Sequence, residues 1–139
     1  PLQKMKNAVF LGIQYDDCLP ELDRVRELGL PIRYYTNIDQ KNDLASASAL
    51  IGACDLVISA STAVFQMSGA LGVPTIMFDA HKNKNNRIPW HPTVRYFSFN
   101  PDESSLLITN IINQMPKLIT WANEVTTSGR CIDSYSGEL

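Results

Sequence analysis

Cysteine is scarce in this sequence and scattered: Cys18, Cys54 and Cys131 make no C-x-x-C pair and stand beside no histidine cluster. Neither a structural zinc site nor a disulfide framework is indicated, and reduced thiols fit best. No apolar run approaches the roughly 20 residues of a membrane span. The opening PLQKMKNAVF lacks the apolar core and cleavage site of a secretory signal, so the expected compartment is the cytoplasm. Excess charge is missing as well: 12 Lys and Arg stand against 14 Asp and Glu, a net charge of -2. That balance supplies no global field to hold nucleic acid or anionic lipid. No G-x-G-x-x-G follows the first apolar run, which argues against a dinucleotide fingerprint. No D-x-D acid pair stands where a strand would end to hold Mg²⁺, so no metal is expected.

What is present is an ordinary folding composition, 45% apolar and 19% charged over 139 residues, enough for one compact domain over 1–139. The chain begins at Pro1 without Met and so reads as a piece of a longer protein. Short apolar runs alternate with helix-period segments, the pattern of an α/β fold with an open, Rossmann-like parallel sheet covered by helices on both faces. The first strand is expected at 8–11. A helix follows, opened by Pro20, lined by Leu22, Val25 and Leu28, and ended by Gly29. Residues 32–35 read as the second strand. Asp43 is a good N-cap for a helix with Leu44, Ala47, Leu50, Ile51 and Cys54 on one buried stripe.

The β-branched run 55–59 does not alternate, which predicts a central strand buried on both faces. After it, Ala60-Ser61-Thr62 turns the chain into a helix carrying Ala63, Met67, Ala70 and Leu71, stopped by Gly72 before a strand at 75–78. Residues 79–92 form a long polar loop with both histidines and Trp90. A last strand is expected at 94–97. Asn100, Pro101 and Glu103 then make a capping box for a helix striped by Leu107, Ile108, Ile111, Ile112, Met115, Leu118, Ile119 and Ala122, which Pro116 should kink or divide. The polar tail past Thr126 is expected to fray.

In open parallel sheets ligands collect at the carboxyl ends of the strands. The richest such place here is the turn from 59 to 64. A helix start offers unpaired N–H groups and partial positive charge, and Ser61 and Thr62 add hydroxyls, so phosphate oxygens fit there without a basic residue. Ordinary Ser/Thr capping is the competing explanation. Asp79 either reaches a ribose hydroxyl or caps a turn. Lys82, Lys84 and Arg87 either add positive charge beside a bound phosphate or are simply solvated. Trp90 is expected to pack its loop on the sheet rather than stack on a base, and His91 is a weak candidate for a base.

Residues 61–74, STAVFQMSGALGVP, align without a gap to the helix pattern D-T-A-x-x-H-L-A-G-A-L-G-x-P of one glycosyltransferase group. The run 9–14, VFLGIQ, is similar to that group's strand ending in S-L-Q, and 89–95, PWHPTVR, to its W-Y-P-S-x-R segment. In order and spacing, residues 8–97 thus resemble the donor-binding half of GT-B glycosyltransferases, nearest to ADP-heptose:lipopolysaccharide heptosyltransferases and to bacterial glycosyltransferases linked to tetratricopeptide (TPR) repeats. The resemblance implies one half of a GT-B fold that binds a nucleotide-diphosphate sugar. The diphosphate would rest on the N–H groups of Thr62, Ala63 and Val64, with Gln14 nearby.

Ser61 stands where the family has an acid, and Gln66 where it has His; Gln66 can donate a hydrogen bond but carries no positive charge. The implied reaction is inverting and metal-independent, with no cofactor beyond the sugar donor. The partner in the same chain would be an N-terminal acceptor lobe or a TPR region outside this segment; the catalytic base would come from the acceptor lobe, so the isolated segment should turn over little. The alternative is a scaffold that keeps the fold without the reaction, which Ser61 and Gln66 favour. A nucleotide sensor of Rossmann type is weaker for want of the glycine motif.

Overall fold

The computed structural model describes residues 5, 7–30, 32–80 and 90–128, with backbone alone for 103–105, 107 and 108. The chain forms two compact units, Pro1–Leu50 and Ile51–Leu139. It is an α/β fold of open sheets flanked by helices, and every strand pair is parallel. Among the described residues the strands fall into two sheets, where the sequence suggested one.

In the first unit, β1 (Phe10–Leu11) pairs with β2 (Ile32–Arg33), Phe10 opposite Ile32. Both strands are shorter than expected. Parallel neighbours need a crossover, and α1 (Leu19–Glu27) supplies it, with Pro20 in its first turn. Leu22 is buried, but Leu28, expected beside it, is exposed. Gly29 closes the helix at φ +83, with Leu30 N–H donating to the Val25 carbonyl and Gly29 N–H to that of Arg26. This is the left-handed cap that glycine adopts without a steric penalty.

Asp43 caps α2 (Leu44–Gly52) as expected, its Oδ1 accepting from Ser46 N–H at 3.0 Å. Of the predicted stripe, Ala47 and Ile51 are buried and Leu44 is exposed. The boundary between the units falls in the last turn of α2.

The second unit has β3 (Val57–Ala60), β4 (Thr75–Asp79) and β5 (Val94–Ser98), in the order β3-β4-β5. The middle strand of this sheet is therefore β4. The run at 55–59, expected to be buried on both faces, buries Val57 and Ser59 and leaves Ile58 and Ala60 exposed. A short β-branched run does not say which strand will lie between two others, and strand β3 has only β4 beside it in this sheet.

Helix α3 (Ala63–Ala70) joins β3 to β4 and packs on both. It buries Val64, Phe65, Ser68 and Gly69, while Ala63, Ala70 and Leu71 are exposed. The expected face was therefore misjudged. Phe65 meets Met77, Val94 and Tyr96 in the core. Val73 N–H donates to the Ser68 carbonyl and Gly72, at φ +74, ends the helix as predicted.

After β5, the Asn100 Oδ1 accepts from Asp102 N–H at 3.3 Å and opens a single 3₁₀ turn, Pro101–Glu103. Then α4 (Ser104–Ser128) runs as one helix through Pro116, which does not divide it. Pro116 lies on the exposed side while Met115 and Leu118 bury the other, so packing holds both halves together despite the missing N–H. Ile111, Met115, Leu118 and Ala122 are buried as expected, Ile119 is exposed, and Trp121 and Val125 join the buried face. Arg95 of β5 lies 5.3 Å from the centre of the Trp121 ring, a cation–π contact. The side chains of Glu103, Leu107 and Ile108, and the tail from 129 with Cys131, lie outside the described residues.

Two glycines separate conformational need from mere space. Gly72→Ala should destabilise the chain by about 1 kcal/mol because its φ is left-handed. Gly52→Ala, in a helix with open space around it, should stabilise by about 0.5–1 kcal/mol. Urea unfolding of both variants checks this. The Asp43 carboxyl is held below its ordinary range by its hydrogen bonds to Ser46. Its contribution is complete above the unfolded-state value and is lost as pH falls through the lower folded value. Thermal unfolding of Asp43→Ala should therefore fall short of the unsubstituted chain at neutral pH and converge with it in acid.

Candidate functional site

The three parallel strands of the second unit end at one edge. Ala60 lies opposite Phe78, Phe78 opposite Phe97, and Asp79 opposite Ser98. From that edge β3 leads through Ser61 and Thr62 into α3 within two residues, so the start of the helix stands beside the strand ends. This is where the sequence placed its candidate site.

Thr62 is the N-cap, with extended backbone at φ -130 and ψ 179. That geometry suits a side-chain cap, yet its hydroxyl makes none. Thr62 Oγ1 instead lies 3.2 Å from Ser59 Oγ, and Ser59 Oγ donates to the Ala60 carbonyl at 2.9 Å. The proton on Ser59 is thus committed to a carbonyl, and Thr62 is the donor between the two hydroxyls. The first-turn amides of α3 therefore have no side-chain acceptor, unlike those of α2, which Asp43 caps.

Of the three amides expected to hold a diphosphate, Thr62 N–H is already used, donating to the Ala60 carbonyl at 2.8 Å. Ala63 and Val64 supply the other two. Ala63 is exposed and Val64 is buried. Ser61 is exposed and no acid stands near it in sequence to repel an anion.

Gln66 lies one turn into α3 with its Oε1 at 2.7 Å from His91 Nε2. His91 is buried, and its ring meets Phe65 edge-on with centroids 6.3 Å apart. It fits there because residue 69 is glycine: a Cβ at Gly69 would stand 2.5 Å from His91 Cγ and 2.8 Å from Nδ1. Nδ1 is buried without a hydrogen-bond partner among the described residues. Sequence reasoning noted Gln66 and His91 separately and missed their pairing, which spans 25 residues and leaves no local signal. Trp90, expected to pack on the sheet, is 69% exposed and touches the edge of His91 instead.

Asp79 closes β4 half-buried, and its carbonyl accepts from Phe99 N–H at 3.1 Å. Gln14 belongs to the first unit, exposed beyond the end of β1. Lys82, Lys84 and Arg87 lie outside the described residues. Among the described residues no three His, Cys, Asp or Glu side chains gather as a metal site would require. Burial, then the neighbouring Asp55 carboxylate, pushes the Cys54 thiol up and away from the reactive thiolate. Among the described residues no helix is long and apolar enough to cross a membrane.

No family model matches the chain, and no solved structure matches it. Protein FlbA of Caulobacter vibrioides is similar: 36% identical over 102 residues, covering 70% of this chain and 17% of FlbA. The chain thus spans about a sixth of the length of that curated relative.

The contact at Gly69 yields a direct test. Gly69→Ala must displace the His91 ring, because the clash is with a ring atom packed against the helix backbone. The expected cost is about 1–3 kcal/mol in urea unfolding, together with a change in the His91 ring resonances. A neutral substitution with unchanged ring signals would contradict this packing.

Proposed function

We propose that this chain is the donor-binding half of an inverting, metal-independent glycosyltransferase, with the diphosphate of a nucleotide sugar seated on the first turn of α3. The observation that carries the reading is the uncapped start of that helix at the carboxyl edge of a parallel sheet, where Thr62 sits as N-cap but turns its hydroxyl to Ser59. Ala63 and Val64 N–H groups then offer two donors to phosphate oxygens, and the helix dipole adds favourable potential. As the bond to the sugar breaks, negative charge grows on the departing diphosphate, and these donors stabilise it without reorganising. The likeness of residues 61–74 to heptosyltransferases supports the same placement.

In this reading the catalytic base belongs to an acceptor lobe of the same protein, to which a TPR region can be attached, the compartment is the cytoplasm, and no metal or further cofactor takes part. Asp79, at the end of β4 in the same unit, is the proposed outer contact of the donor. A scaffold that keeps this fold without chemistry is the second reading, favoured by Ser61 in place of an acid and by Gln66 being engaged with His91.

Calorimetric titration with UDP, GDP and ADP separates the two readings. Ala63→Pro is the informative variant. Proline is well tolerated at the first helical position, and the extended Thr62 before it already has the backbone a following proline demands. The substitution removes one cradle donor and should weaken diphosphate binding about tenfold, the order of one charge-assisted hydrogen bond, while thermal unfolding stays within a few degrees. Silence toward all three nucleotides at millimolar concentration would favour the scaffold.

A further inference from the structure

We infer that His91 is an acid-released latch: its neutral ring seats the segment 90–92 on α3, and a second proton on that ring releases the segment. The latch lies at the amino edge of the sheet, ahead of β5 and against Gly69, at the end of α3 away from the Ala63 and Val64 amides. It is therefore independent of the diphosphate reading.

The ring is seated by contact. It is buried, meets Phe65 edge-on, and lies so near the helix backbone that a Cβ at Gly69 would stand 2.5 Å from its Cγ. Its hydrogen-bonding groups are only half satisfied. Nε2 lies 2.7 Å from Gln66 Oε1, an oxygen that only accepts, so Nε2 carries the proton of the neutral ring. Nδ1 is then the lone-pair nitrogen, shut away from solvent and without a partner among the described residues. A second proton has only Nδ1 to go to. There it would bury a donor with nothing to accept it, together with a full positive charge, the kind of burial that folded chains avoid.

The elements around the ring offer that charge no counterpart. Helix α3 and strand β3 contain no ionisable side chain. On β4 the one such group is Asp79, at the carboxyl end and so at the opposite edge of the sheet. On β5, Tyr96 packs in the core with Phe65, while Arg95, alternating with it, turns to Trp121 of α4. Trp90 touches the edge of the ring and is uncharged.

The neighbouring hydrogen bonds set how far the release runs. The Thr93 carbonyl accepts from Thr75 N–H at 2.9 Å, where the pairing of β5 with β4 begins, so the sheet stays closed from there onward. Trp90 is already 69% exposed and adds little burial, which leaves the His91 ring as the hold on α3. Because the seated ring excludes a proton that the released ring binds, the balance moves toward release as pH falls and back as it rises.

NMR of the chain from about pH 7.5 to about pH 5, the range in which histidine changes charge, tests the latch. The NOE between the His91 and Phe65 rings reports the seat, the ring nitrogens report the proton, and the Trp90 indole reports the segment. At neutral pH the expected ring carries its proton on Nε2. On acidification the NOE should vanish and the Trp90 signal should move in step with the second protonation. The ratio of seated to released ring should fall about tenfold per pH unit on the acid side, the slope of one proton. The indole of Trp121, buried on α4, should stay in place, and His91→Gln, neutral throughout, should show no Trp90 response. A doubly protonated ring that keeps its NOE to Phe65 overturns the inference. So does an equal Trp90 response in His91→Gln, or a Trp121 signal that moves together with that of Trp90. Should His91→Gln fail to fold, the NOE and the ring nitrogens of the unsubstituted chain decide alone.

Discussion

Helix α3 is tied to β4 by a bond between two hydroxyls in a place closed to water. Ser68 and Thr75 are fully buried, Thr75 Oγ1 shares its proton between Ser68 Oγ at 2.8 Å and the Val73 carbonyl at 2.9 Å, and Ser68 Oγ donates to the Phe65 carbonyl at 3.0 Å. Removing either hydroxyl would leave the other its backbone carbonyl but cut the link between helix and strand, at a cost of about 1 kcal/mol for one hydrogen bond. Small side chains at the contact also let the helix lie close, with Gly69 making room on the next face for His91. The helix is therefore fixed in rotation, and everything the second unit offers a ligand follows from that rotation.

With the helix so fixed, Phe65 is directed to Met77, Val94 and Tyr96, Gln66 meets His91, and the first-turn amides stand at the carboxyl edge of the sheet. Thr62 completes the arrangement by making no side-chain cap. A threonine at an N-cap ordinarily satisfies one of the exposed amides at the head of a helix; here the neighbouring Ser59 takes its hydroxyl. Site and core are thus parts of one packing solution, and the donors point outward because the residues next to them are committed inward.

The elements of this fold were largely legible in the residues, since Gly29, Asp43, Gly72 and Asn100 act through local rules that need no tertiary knowledge. The choice of face was not. On α3 apolar residues surround the helix, so periodicity cannot distinguish Ala63, Met67, Ala70 and Leu71 from Val64, Phe65, Ser68 and Gly69; the side that packs is chosen by close approach and by the Ser68–Thr75 bond. Strand β3 was misjudged because its β-branched run reports apolar character and not its neighbours. Trp121 escaped notice because a stripe read from aliphatic residues passes beside it, and its contact with Arg95 comes from a strand far away in sequence. The place of the candidate site was legible because a strand end and a helix start are both local signals. The partnership of Gln66 with His91 was not, because only the folded sheet brings position 91 to position 66.

The central claim concerns individual N–H groups, and scalar coupling between ¹⁵N and ³¹P across a hydrogen bond observes them one at a time. In a complex saturated with a nucleoside diphosphate, the account predicts such couplings at the backbone nitrogens of Ala63 and Val64 and none at Thr62, whose N–H is held by Ala60. Couplings confined to amides elsewhere in the chain would contradict it.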